Sequence, residues 1–228
     1  MEHIDRKSLY TSLEARIDYL HKFLDFNDRD LEALAFGSKF VQDLIPAVTH
    51  VVYRKLLQFD ITARAFEVRD TRSEEPLNSV LDDNSPEVQK RKSFLNSYLK
   101  KICSDQSTMA FWEYLDNVGN KPLRVEYIHI SATLCLIQHV LTESILSHNA
   151  LPMSRRVAMV KALSKVIWIQ NDLFAKWCVR DGDEFTGGPT ALAEHQASTT
   201  EVPLKALGAS TCPFSGVTNG MQGLKVGE

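Results

Sequence analysis

The sequence predicts an all-α protein. Apolar residues recur at three- and four-residue steps through most of the chain before Phe185, with no alternating strand pattern and no hairpin dipeptide between apolar runs. Glycine, a poor helix former, is scarce in that stretch, because seven of the ten glycines fall after Phe185. The pattern implies about seven or eight helices around one core.

Leu9, Leu13, Ile17, Leu20 and Leu24 form one apolar stripe and predict an N-terminal helix. Asn27 followed by Asp30 reads as a cap with an acidic first turn, opening a second helix through Leu31, Leu34 and Phe36. Gly37 and Pro46 mark kinks or breaks. Val48, Val51, Val52, Leu56 and Leu57 then continue an apolar face on a third helix, and Asp60 to Phe66 predicts a short helical turn. Polar residues with Pro76 mark a loop from about Arg69 to Asn84. Ser85-Pro86-Glu87 is a start signal: a cap hydroxyl, a proline whose missing N–H is harmless in the first turn, and an acid at the positive dipole end. The helix it opens carries Val88, Phe94, Leu95, Tyr98, Leu99 and Ile102. Phe111, Trp112, Tyr114, Leu115 and Val118 define the next, with Gly119 placed to end it. Two long helices follow, from Val125 to His148 and from Ser154 to Arg180, joined by a short link containing Pro152.

From Thr186 onward the chain is rich in Gly, Ser, Thr and Ala, which offers too little burial to offset ordering entropy. The expected organisation is one helical domain over residues 1–181 and a disordered tail over 182–228. A chain of 228 residues with 44% hydrophobic content can bury a core without metal or disulfide support. With 26 basic and 29 acidic residues the net charge is −3, which removes the electrostatic case for nucleic-acid or anionic-membrane binding. Cys103, Cys135, Cys178 and Cys212 form no C-x-x-C pair, so a reducing compartment is the default. No signal-peptide core and no run of about 18 apolar residues is present, and a soluble, cytoplasmic protein is expected.

There is no Gly-rich phosphate loop, nucleophile elbow or H-E-x-x-H motif, and no enzymatic turnover is expected. Histidines are the chemistry-capable residues that remain. His3 and His195 lie in expected disorder and His21 and His148 near helix ends, whereas His50, His129 and His139 lie within apolar helices. The commoner reading of any one of these is a packed or surface histidine rather than a metal or haem ligand. Tyr53 ordinarily means a core tyrosine with a satisfied hydroxyl, and Trp112, Trp168 and Trp177 ordinarily mean packing.

Several stretches go further. Asp18 to Phe26 with Asp30, then Val52-Tyr53-Arg54-Lys55-Leu56-Leu57-Gln58-Phe59-Asp60-Ile61-Thr62, resemble the opening of the protoglobin and globin-sensor domain family, and fungal protoglobin-like proteins in particular. Phe111-Trp112-Glu113-Tyr114-Leu115-Asp116-Asn117-Val118-Gly119, Pro122-Leu123-Arg124-Val125-Glu126-Tyr127-Ile128-His129 and Trp168-Ile169-Gln170-Asn171-Asp172-Leu173-Phe174 are similar to later parts of that family, in the same order. The resemblance implies a globin-like fold with an extra N-terminal helix, haem b as cofactor, and oxygen or another diatomic gas as ligand. It puts Tyr53 at a distal tyrosine able to donate a hydrogen bond to the bound gas, and Phe94 at a bulky position lining the distal pocket. It also implies a homodimer through the last two long helices.

One departure is equally informative. In the family a segment carrying the proximal histidine follows the Val-Gly pair, whereas here Val118-Gly119 runs directly into Asn120-Lys121-Pro122-Leu123. Haem iron needs an axial donor. His129 is the nearest histidine and the candidate substitute iron ligand, although the resemblance itself gives it no such role. The alternative function is a haem-free globin-like domain acting through dimerisation and protein contacts. An omitted coding segment between Gly119 and Asn120 would give the same junction, which the transcript across it decides. In the tail, Cys212-Pro213 looks like the Cys-Pro motif of haem-responsive proteins, a dipeptide short enough to arise by chance.

Overall fold

In the computed structural model, which describes residues 1–67, 71, 81–120, 125–179 and 181–186, all regular structure is helical. Asp5 accepts a hydrogen bond from the Ser8 amide at 3.1 Å and opens α1 (Arg6–Thr11). Ser12 is extended (φ −125°, ψ 119°), and its hydroxyl accepts from the Ala15 amide at 3.2 Å to open α2 (Leu13–Phe23). The single N-terminal helix expected from the Leu9 to Leu24 stripe is therefore two. A serine that can cap competes locally with helix continuation, and the stripe survives the break. After α2, Asp25 takes a left-handed conformation (φ 50°) and the Phe26 amide bonds the His21 carbonyl at 2.8 Å, a Schellman-type closure that buries Phe26.

The expected cap at Asn27 is present. Its side chain accepts from the Arg29 amide and Asp30 accepts from the Asn27 amide, each at 3.0 Å, opening α3 (Asp28–Leu56). The helix then continues for 29 residues, so Gly37 and Pro46 interrupt nothing. Pro46 and Gln42, four residues back, are both exposed, which leaves to water the bond that proline cannot donate. Gly37 lies where α3 approaches the next-but-last helix so closely that a Cβ would stand 2.4 Å from Met159 Cε.

The remaining helices are α4 (Asp60–Glu67), α5 (Pro86–Ile102), α6 (Met109–Gly119), α7 (Tyr127–Leu146), α8 (Met153–Ala175) and the single turn α9 (Asp183–Thr186). The start of α5 is where Ser85-Pro86-Glu87 predicts it, but the Ser85 hydroxyl donates back to Asp82 at 3.0 Å instead of capping. Both long helices are shorter than expected, and α8 stops at Ala175 rather than Arg180. The chain continues past the expected boundary at 181 into α9, which docks on α1: the Tyr10 and Phe185 rings stack at 6.2 Å, with the Arg6 guanidinium 5.2 and 5.1 Å from them. Residues 187–228, including Cys212-Pro213, and most of the expected loop between Arg69 and Asn84 lie outside the described residues.

The core forms where α3 packs on α5, α7 and α8, while α6 packs on α8. Val52, Leu95, Leu115, Ile145, Val166 and Leu173 are fully enclosed there. Polar links fix the arrangement from outside: Arg16 grips Asp172 with bonds of 2.6 and 2.8 Å, Lys165 reaches Asp30 at 2.8 Å, and Tyr127 donates to Asn171 at 3.0 Å. Among the described residues no helix is long and apolar enough to cross a membrane.

The joint between α2 and α6 is aromatic. The His21 ring lies 4.8 Å from that of Phe26 and meets Trp112 edge-on at 5.0 Å, and its Nε2 is buried without a hydrogen bond. Burial pushes the His21 pKa down from its usual 6.5, with Asp18 opposing more weakly. The fold therefore favours the neutral ring, and this contribution is complete above about pH 6.5 and is lost as pH falls through the lowered value. The melting temperature is expected to drop between about pH 7.5 and pH 5.5, and His21→Phe to flatten that slope. Melting curves of the two proteins across this range check it.

Candidate functional site

Tyr53 occupies the last turns of α3 and is completely buried, its ring packed on Phe66 of α4 at 5.5 Å and 34°. On the other helix facing Phe66, Arg91 of α5 is only 1% exposed; its guanidinium lies 5.3 Å from the Phe66 ring and donates to the Ala65 carbonyl at 2.8 Å. An arginine at this depth survives because its charge is met by a carbonyl dipole and an aromatic face. Sequence reasoning passed over Arg91. Its signal was positional, since residue 91 falls on the stripe of Val88, Leu95, Tyr98 and Ile102 that turns inward.

His129 lies in the first turn of α7, where its amide donates to the Glu126 carbonyl at 3.0 Å. With Leu56, Phe66, Arg91, Ile130 and Thr133 it lines a cavity of about 340 Å³ of empty space, mouth included. Its Nε2 is buried and makes no hydrogen bond; the carboxylate of Glu126 is 3.9 Å away. Glu126 is held instead by Thr71, whose hydroxyl donates to Glu126 Oε2 at 3.2 Å and accepts from the Glu126 amide at 3.1 Å.

Of the three expected residues, His129 lines the cavity and Tyr53 does not, though it touches the cavity wall through Phe66. Phe94 is half-buried and does not line this cavity. A single turn along α5 separates it from Arg91, which takes the inward position.

The other described histidines are engaged elsewhere. His50 is more than half exposed and lies 3.5 Å from Asp83, His148 stacks on Phe40 at 4.5 Å, and His139 is exposed. Among the described residues no group of three His, Cys, Asp or Glu side chains is gathered for a metal ion. Haem asks for less, because the macrocycle supplies the equatorial nitrogens and the protein only an axial donor.

These helices and this cavity define a globin-like, all-α domain. The chain belongs to the protoglobin family, whose family model matches residues 13–184. That family comprises globin-like haem proteins that bind diatomic gases and are often dimeric. Among curated proteins none matches the chain.

The residues present fit haem in their chemistry. A buried imidazole nitrogen with no hydrogen bond is an available axial donor, and Leu56, Phe66 and Ile130 give the apolar walls a macrocycle requires.

Proposed function

We propose that this chain binds haem b at the His129 cavity and thereby holds oxygen or another diatomic gas. The observation that carries the reading is the buried Nε2 of His129, without a hydrogen bond, on a cavity lined by Phe66, the ring on which Tyr53 packs. Haem, when bound, supplies the iron site for the gas. His129 holds the cofactor by its ring nitrogen, and Glu126, fixed by Thr71, lies beside that ring. Tyr53 supplies a hydroxyl donor to the gas, and the apolar walls keep water out. The role is reversible binding, not turnover, in a cytoplasmic setting.

The test is absorption and iron content of the full chain produced with haem supplied. A Soret band with stoichiometric iron is expected, and neither would appear if the reading were wrong. In the loaded protein Tyr53→Phe is expected to speed oxygen release by at least tenfold, since a hydrogen bond to a partly charged acceptor is worth about 1.5–3 kcal/mol. Stopped-flow dissociation measures it.

A second reading, a haem-free dimerisation domain, is supported by the direct run of Val118-Gly119 into Asn120-Lys121-Pro122, where the resemblance leads one to expect a histidine-bearing segment, and by the outer face of α7 and α8. Gln138 donates to Ser164 at 3.1 Å and Tyr127 to Asn171, which sets the two helices antiparallel and leaves Ile128 68% and Trp168 57% exposed. We assign this face to a homodimer in either case, because paired apolar stripes of this kind close a four-helix bundle. Trp168→Glu is expected to weaken the dimer at least tenfold while changing monomer stability by less than about 0.5 kcal/mol. Sedimentation at micromolar concentration reads the first and thermal melting the second.

A further inference from the structure

The outward face of α7 carries two side chains that neither the core nor the His129 cavity uses. Cys135 is a free, exposed thiol, and His139, one turn later, is an exposed imidazole. Neither makes a hydrogen bond or an ion pair among the described residues. Side chains four residues apart on a helix have Cβ atoms about 5–6 Å apart, close enough for one metal ion to take both. The other described cysteines have no such neighbour. Burial pushes the Cys103 thiol up to about 11, Cys178 lies beyond the end of α8, and neither has a histidine within four residues.

A thiolate and an imidazole are donors that zinc selects, and two of them leave a four-coordinate ion half-satisfied. Among the described residues no third His, Cys, Asp or Glu is gathered with this pair, so one chain holds half a site. A second copy of the pair completes it. Ile128, Ala132, Cys135, His139, Glu143 and Leu146 succeed one another at helical spacing along the exposed side of α7, which puts the pair at the middle of the stripe and apolar residues at its ends. On α8, exposed Trp168 lies toward the Ile128 end, where Tyr127 bonds Asn171, and exposed Met153 and Val157 lie toward the Leu146 end, where Arg156 bonds the Leu146 carbonyl. A two-fold axis crossing α7 between Cys135 and His139 turns this pattern onto itself. Each apolar end then meets the opposite apolar end of the second copy, and the two Cys-His pairs face each other.

We propose that the homodimer face binds a zinc ion on its two-fold axis, held by Cys135 and His139 of each of two chains. The inference rests on the dimer assigned to this face above. Two thiolates balance the double charge of the ion, so the site is neutral between apolar ends, and the two thiol protons pass to solvent on binding.

The test uses the full chain, prepared without added haem, reduced, stripped of metal and titrated with Zn²⁺ alone. One zinc per two chains is expected, with a dimer roughly tenfold tighter in sedimentation at micromolar concentration. Cobalt(II) in place of zinc is expected to show a thiolate charge-transfer band and the intense visible bands of a four-coordinate ion. Cys135→Ser should abolish the thiolate band and the tightening, and His139→Ala the tightening. Both positions are exposed, so folding is expected to survive each change. Cys178→Ser and Cys212→Ser should alter neither readout. The proposal fails if one zinc binds per chain, if zinc binds without tightening the dimer, or if Cys135→Ser keeps the thiolate band. A dimer that forms without zinc and ignores it removes the zinc site and leaves the dimer reading standing, whereas a chain that stays monomeric with and without zinc removes both.

Discussion

Chain carrying alanine at position 129 is expected to fold normally and to lose haem. His129 is 17% exposed at its side chain and its Nε2 has no hydrogen bond, its nearest charged neighbour being Glu126 at 3.9 Å, so truncation breaks no hydrogen bond of that nitrogen and relieves an unsatisfied buried group. The stability change should stay within about 1 kcal/mol. Haem occupancy, by contrast, should fall to background, since the other described histidines lie away from this cavity, beside Asp83, against Phe40, in the aromatic joint at Trp112, or exposed on α7 and at the N-terminus. On the proposed reading His129 would be the axial donor, and its loss would remove the interaction that fixes the iron. Free imidazole added to His129→Ala should restore part of the Soret absorption, because it replaces the missing donor without repairing the chain. Circular dichroism, iron content and the Soret band read the three expectations separately. An unchanged Soret band in His129→Ala would remove the axial role from this residue.

Much of the fold was legible because local signals and helical period agree in this chain. Asn27 with Asp30, and Ser85 with Pro86, open α3 and α5 where such residues must. Where the reading departed from the structure, a tertiary or local alternative intervened. Ser12 fits an apolar stripe and is also a competent cap, and the cap divides α1 from α2. Pro46 looks like a break, but it faces solvent on a helix whose buried side runs unbroken through Val41, Ile45, Val48 and Val52. The site was legible in part. Tyr53 and His129 emerged from resemblance and from position, while Arg91 was missed. The missed residue is a polar member of an inward apolar stripe, and the useful signal was the polar residue at a core position rather than the residue type alone.

Gly119→Val is expected to lower the melting temperature by about 6–12 °C, corresponding to roughly 3 kcal/mol in a domain of this size. The sequence suggests a glycine that ends α6 through backbone freedom, but α6 includes Gly119, and the following Asn120 is right-handed (φ −74°, ψ −5°). The requirement is space. A Cβ there would lie 2.9 Å from Trp177 Cδ1 and 3.0 Å from the Leu173 carbonyl oxygen. The carbonyl belongs to the α8 backbone and cannot move alone. The indole is restrained as well: Trp177 Nε1 donates to Asp116 at 3.2 Å, and Lys176 bonds both Asp116 oxygens at 3.0 Å. Alanine would recover up to about 1 kcal/mol of helix propensity against this crowding, so Gly119→Ala should be the milder variant. Valine adds two methyl groups and little propensity. Adding Trp177→Ala should make Gly119→Val less damaging than it is in the unaltered chain, because one of the two obstacles is removed, and a thermodynamic cycle over the four proteins measures that relief.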